Sequence, residues 1–227
     1  MPIDTATLTP AQQAAAIYVA YFDRAPDPAG LQYWIDMIEG GESLEKVAED
    51  FAGGAEAIAK YPYLAAPDVA SPTTFITNIY LNLFGRTPDA EGLAYWEGEL
   101  ADGYPVGKMI LAILAGAQDE ASGGFPDSET VLNKVEVGLD WAAQASDAGI
   151  GVVGNLIAED VNGTLVVYDQ AAFDNAGSSL SGVGGTDASV TAAKAATAAF
   201  VSGSANEGDT FTLTTGIDAG ADFVGTG

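Results

Sequence analysis

One phrase occurs twice in this chain. Residues 22–34 read FDRAPDPAGLQYW and residues 84–96 read FGRTPDAEGLAYW, sixty-two positions apart. Across 18–34 and 80–96, nine of seventeen aligned positions are identical: Tyr18/Tyr80, Phe22/Phe84, Arg24/Arg86, Pro26/Pro88, Asp27/Asp89, Gly30/Gly92, Leu31/Leu93, Tyr33/Tyr95 and Trp34/Trp96. Lys46 and Lys108 keep the same offset beyond the phrase. A fixed internal period is a strong constraint, because each copy must build the same unit and neighbouring copies must share a core.

The punctuation around the phrase predicts helices. Thr9-Pro10 supplies a cap and a proline at the first helical position, followed by Ala14, Ile17, Tyr18 and Tyr21 at helical spacing. Asp27-Pro28 starts a second helix carrying Leu31, Trp34, Ile35 and Ile38, which Gly40-Gly41 stops. Ser43 starts a third, with Leu44, Val47, Ala48 and Phe51, ended by Gly53-Gly54. YPYLAAPDVASP reads as a proline-rich connector, and the plan then restarts at Ser71-Pro72, Asp89 and the helix through Met109 and Ile113. Asp127 reads as another cap, opening an amphipathic helix over TVLNKVEVGLDWAAQ.

The expected fold is mainly α: two tandem three-helix repeats, about 9–66 and 70–126, then a helix over 127–145, all within a helical domain 1–145. From about residue 146 the composition turns to Gly, Ala, Ser, Thr and Asp. Within this mixed segment, 146–205, VNGTLVVYD suggests a short hairpin and DASVTAAKAATAAF a helix near 187–201. Residues 206–227 alternate apolar and polar side chains before becoming Gly/Asp-rich, which reads as a strand or linker toward β-structure.

Each residue of the doubled phrase has a structural role available. Asp27 and Asp89 can accept backbone N–H bonds at a helix start, where the dipole favours a negative charge. Gly30 and Gly92 permit close approach, Trp34 and Trp96 supply core, and Arg24 and Arg86 can pair with a carboxylate. The competing reading is a carbohydrate site built from Arg24, Tyr33, Arg86 and Tyr95, since tyrosine rings stack on sugars and guanidinium groups bond hydroxyls. Adjacent Tyr and Trp on a helix point about 100° apart, so both cannot face one shallow ligand. The structural reading is preferred, with any ligand placed between the copies.

Composition narrows the function. Thirty-two acidic residues face seven basic ones, a formal net charge of −25, so there is no basic footprint for nucleic acid. The chain has neither cysteine nor histidine, which excludes disulfides, thiol nucleophiles, His-based triads and the usual zinc sites. Nothing singles out a catalytic pair among the carboxylates, so no enzyme is expected. No apolar run is long enough to cross a bilayer, and MPIDTATLTPAQQ has no basic and apolar leader pattern. The acidic balance suits Ca²⁺, the hard cation that carboxylates prefer. Asp218 and Asp222 in the Gly/Asp-rich tail are the candidate ligands, although no EF-hand loop and no complete β-roll repeat occurs.

The pattern Y-x3-F-G-R-x-P-D-x2-G-L-x-Y-W, with NKVEVGLDWA at 133–142, resembles the helical domain-of-unknown-function family 4214 over roughly residues 11–145. That family is similar to phycobilisome linker domains and is found in RTX-type calcium-binding proteins, adhesins and surface-layer proteins exported by type I secretion. The resemblance implies an extracellular, cell-surface module exported without an N-terminal signal peptide. It implies anchoring to cell-surface polysaccharide or lipopolysaccharide with Ca²⁺ assistance; the alternative is self-association as an assembly or spacer module of a lattice or filament. The Gly-rich stretch 146–185 departs from a simple helical repeat.

Overall fold

The computed structural model describes residues 3–117, 124–150, 160–161, 164–165 and 170–206. The first repeat begins with α1, Pro10–Phe22, whose Thr9 and Gln12 close a reciprocal capping box. Asp27 caps α2, Pro28–Glu39, through the Gly30 amide, and Ser43 caps α3, Leu44–Gly53, through that of Lys46. Two short helices follow, α4 (Ala55–Lys60) and α5 (Pro62–Ala65). The expected connector is therefore partly helical: Pro62 starts α5, and Tyr61 and Tyr63 are buried.

The second repeat comprises α6 (Thr73–Phe84), α7 (Ala90–Ala101) and α8 (Val106–Ala115). The bounds of α2 and α3, shifted by sixty-two, coincide with those of α7 and α8. α6 starts one residue late by that rule because Pro72 occupies its cap position, and Ser71 Oγ accepts from the Thr73 amide. Each copy turns its corner through a left-handed residue, Asp23 at φ 51° in the first and Gly85 at φ 69° in the second.

Equivalent helices of the two copies pack on each other, α1 against α6 and α3 against α8. The α3–α8 contact depends on Gly107, where a Cβ would lie 2.6 Å from the Glu49 backbone nitrogen. The Gly107 amide itself donates to Glu49 Oε2 at 2.7 Å. Asn82 Nδ2 donates across the α1–α6 contact to the carbonyl of Ala20, the residue sixty-two positions before it. The result is one shared core, with Ile17, Val47, Ile76, Ile79, Leu83, Met109 and Ile110 fully buried.

α9, Asp127–Asp147, lies across both copies, packing against α1, α2 and α6. Its N-cap position is Pro126, and no side chain caps it. Asp127 is thus not the cap the sequence suggested; its carboxylate is held by an arginine instead. A two-residue antiparallel pairing joins β1 (Asp160–Val161) to β2 (Thr164–Leu165), where a hairpin was expected. Two further helices, α10 (Gln170–Ser179) and α11 (Asp187–Asn206), pack against α9. The helix expected near 187–201 is α11, whereas α10 was not anticipated. Of the strand expected in 206–227, Asn206 is the last residue of α11 and 207–227 lies outside the described residues.

Candidate functional site

In both copies the phrase resolves into the same corner. Asp27 Oδ1 accepts from the Gly30 amide at 2.7 Å, and Asp89 Oδ1 accepts from the Gly92 amide at 2.7 Å. The hydroxyl of Tyr18 donates to Asp27 Oδ2 at 3.4 Å, and the Trp96 indole donates to the Tyr80 hydroxyl at 3.2 Å. Burial pushes the Tyr18 hydroxyl well above the ordinary phenol range, and the neighbouring Asp27 charge adds to the effect.

Arg24 and Arg86 are occupied inside the fold. Arg24 is 4% exposed and donates Nε and Nη2 to the two oxygens of Glu56, each at 2.9 Å, while Nη1 donates to the Ala25 carbonyl. Burial alone would lower its pKa, but the paired bonds to Glu56 more than offset that and hold it above its usual value. Its guanidinium also lies over the rings of Tyr18, Phe22 and Phe173 at 4.9–5.4 Å. Arg86 repeats the fork on Asp127, with Nε to Oδ1 at 2.9 Å and Nη2 to Oδ2 at 2.6 Å, and lies 4.6 Å from the Phe125 ring centroid. The expected glycan set therefore loses its two guanidinium groups to structure.

Tyr33 and Tyr95 stand apart from that network. They are 54% and 57% exposed, each set edge-on to its neighbouring tryptophan with ring centroids 4.8 Å apart. Trp96 is buried and Trp34 half-buried, so the helix sends tryptophan inward and tyrosine outward, as the 100° spacing requires. The structure describes no contact that brings Tyr33 and Tyr95 together.

The NKVEVGLDW segment is the keystone of the described fold. Asn133 Nδ2 donates to the Gly184 carbonyl at 2.7 Å. Lys134, 4% exposed, donates to Asp23 Oδ1 at 2.7 Å and to the Asn82 carbonyl at 2.6 Å, so one ammonium group ties the first corner to the second copy. A Cβ at Gly138 would sit 3.3 Å from Pro26 Cδ, and the Trp141 indole donates to Asn175 Oδ1 at 2.8 Å. The amide of Ala25 donates to the Ala176 carbonyl at 2.9 Å, which fixes α10 over the first corner.

All seven basic side chains have internal partners. Besides Arg24, Arg86 and Lys134, Lys46 bonds Asp50, Lys60 donates to the Phe22 carbonyl, Lys108 pairs with Glu45 and Lys194 with Glu136. Among the described residues no group of three or more carboxylates converges to hold a metal ion, and no helix is long and apolar enough to cross a membrane. Asp218 and Asp222 lie outside the described residues. A cavity of about 230 Å³ lies between α10 and α11, lined by small and hydroxyl side chains such as Ser178, Ser181 and Ala193. Ser179 Oγ and Thr197 Oγ1 at its wall are bonded to carbonyls of their own helices.

These features define an all-helical module of two fused repeats, with its signature side chains spent on holding corners and one tyrosine per copy left outside. Residues 5–61 and 66–121 each match the family described as Domain of unknown function (DUF4214), and this part of the chain belongs to that family as two tandem copies. Both matches end before α9, so the keystone helix lies outside the matched repeats. Over 193 residues, 80% of this chain, the sequence is 25% identical to an S-layer protein of Synechocystis sp. (strain ATCC 27184 / PCC 6803 / Kazusa). The alignment covers 10% of that relative, so the chain spans about a tenth of its length. No solved structure matches the chain.

Proposed function

We propose that this chain is a non-enzymatic module of a surface-layer-type, extracellular protein, and that it holds that protein to cell-surface polysaccharide or lipopolysaccharide with the help of Ca²⁺. The observation that carries the reading is the similarity to an S-layer protein, which runs through most of the chain rather than one motif. The pairing of every basic side chain with another group of the same chain supports the role of calcium. A protein of net charge −25 with no unpaired Lys or Arg repels an anionic glycan unless divalent ions bridge the two. The test is binding of the full chain to whole cells and to purified lipopolysaccharide. Retention in Ca²⁺ that is lost on chelation is expected, and binding unaffected by a chelator rules out the bridging role.

A second reading, a self-assembling or spacer module, draws on the apolar side chains left outside, notably Val69 at 85% and Phe125 at 57% exposure. Light scattering against Ca²⁺ concentration separates the two. A monomer that binds polysaccharide fits the first, and calcium-driven growth without polysaccharide fits the second.

A further inference from the structure

The internal repeat allows a comparison within one molecule. α2 and α7 are equivalent helices, and five aligned positions are exposed on both: 29/91, 32/94, 33/95, 36/98 and 39/101. At four of them the copies differ: Ala29/Glu91, Gln32/Ala94, Asp36/Gly98 and Glu39/Ala101. Only the tyrosine pair, Tyr33/Tyr95, is identical. Exposed helix positions tolerate most substitutions within about 0.5 kcal/mol, so the four differences are what a free surface permits. The retained ring is not explained by the core, from which it points away.

We propose that Tyr33 and Tyr95 are two copies of one aromatic subsite, each taking the apolar C–H face of a neutral sugar unit in a polysaccharide. The proposal rests on the polysaccharide reading above and narrows it to uncharged units. Charge selects the ligand: the net charge of −25 repels an anion, and Lys46, the basic side chain near Tyr33, is paired with Asp50, whereas carboxylates one helical turn away can accept hydroxyl bonds. These are Asp36 beside Tyr33, and Glu91 and Glu99 beside Tyr95. The edge-on tryptophan at 4.8 Å holds each ring in one orientation before a ligand arrives, which lowers the ordering entropy of binding. A repeating polymer offers the same unit to both rings, and linked contacts multiply affinity.

Affinity electrophoresis of the full chain through gels cast with dextran, mannan or alginate, each with Ca²⁺ or chelator, tests this. At least one neutral polymer, dextran or mannan, is expected to retard the chain with or without Ca²⁺, because uncharged units need no bridging ion; the charged groups of lipopolysaccharide are what make binding to it depend on Ca²⁺. Y33A and Y95A are each expected to weaken retardation by roughly tenfold or more, and the double variant to abolish it. Y33F/Y95F keeps the ring and is expected to retain binding, while circular dichroism shows all four variants folded. Equal retardation of the wild type and the double alanine variant overturns the tyrosine subsite and leaves the polysaccharide reading standing. Retardation by alginate and Ca²⁺ alone overturns the neutral-sugar assignment and likewise leaves that reading standing. No retardation in any gel removes both. Loss of self-association in Y33A/Y95A without any change in glycan binding reassigns the rings to a protein contact and overturns the proposal.

Discussion

At the scale of single residues, aligned positions of the two copies carry different loads. A Cβ on Gly30 would lie 2.3 Å from the Tyr18 hydroxyl, whereas one on Gly92 would lie 3.1 Å from the Asp89 carboxylate and at an ordinary contact distance, 3.6 Å, from the Tyr80 hydroxyl. Gly30→Ala therefore forces the buried Tyr18 off its bond to Asp27 and is expected to cost about 1–3 kcal/mol. Gly92→Ala has little to displace and recovers up to about 1 kcal/mol of helix propensity, so it should be near neutral. Paired denaturant melts decide it, and equal losses contradict the asymmetry. A second prediction concerns buried phenols: desolvation raises the pKa of Tyr18, Tyr21 and Tyr61 above the usual value near 10. The folded state keeps their protons longer than the open chain, so their contribution is complete below pH about 10 and is lost as pH climbs from there toward the raised folded values. Thermal midpoints should be flat from pH about 8 to 10 and then fall, and a midpoint unchanged above that range contradicts the burial. The capping aspartates were readable from sequence because a cap is local: Asp27 and Asp89 act on an amide three residues away. The fate of the arginines was not, because Glu56 and Asp127 lie 32 and 41 residues downstream and nothing local selects them.

At the scale of elements, the strongly periodic helices with a cap or stop signal were legible, and the missing ones lacked a contrast to read. α5 hides in a proline-bearing stretch whose Pro62 starts a helix instead of breaking a connection, and α4, just before it, is only six residues long and shows too little periodicity to read. α10 carries Ala172 and Ala176 on its buried side, so close packing against α9, and not hydrophobic contrast, holds it. α9 was recognised as a helix from its spacing, but its role as the tie between repeats depends on three-dimensional placement. Lys134 shows this best: as a buried cation it satisfies Asp23 of one copy and the Asn82 carbonyl of the other. Lys134→Met keeps the volume and removes the donor, leaving the Asn82 carbonyl buried without it. The expected loss is about 2 kcal/mol, the range for a hydrogen bond to a charged group; the part-exposed Asp23 keeps it from being larger. Trp141→Ala, by contrast, opens a cavity in the cluster of Ala25, Ala142, Ala145, Ala172 and Ala176 and should cost about 3–5 kcal/mol. Equilibrium denaturation checks both. A Lys134→Met loss as large as that of Trp141→Ala would show that the tie contributes more than its bonds.

For the whole molecule, charge is the dominant unbalanced quantity. Thirty-two carboxylates outnumber seven basic groups, each of which already has a partner in the chain, so counter-ions must screen the repulsion behind the net −25. Self-repulsion of this kind favours expansion of the chain and acts over distances comparable with the Debye length, about 10 Å at 0.1 M salt. Raising NaCl from about 10 mM to about 500 mM shortens that length from roughly 30 Å to a few ångström and should raise the thermal midpoint by several degrees. The ion pairs weaken over the same range, but those of Arg24 and Lys134 are sheltered by burial of the cation and contribute through short hydrogen bonds, so repulsion is the larger salt-sensitive effect. A falling midpoint would mean that the pairs win. Divalent cations divide the response further. If carboxylates of the lone chain only attract a diffuse atmosphere, Ca²⁺ and Mg²⁺ at equal concentration raise the midpoint alike. If bridging to anionic polysaccharide is what calcium does, a preference for Ca²⁺ emerges only when lipopolysaccharide is present, because the second set of ligands belongs to the glycan. A Ca²⁺ preference in the protein alone would instead place a formed site within the chain, contrary to the bridging role.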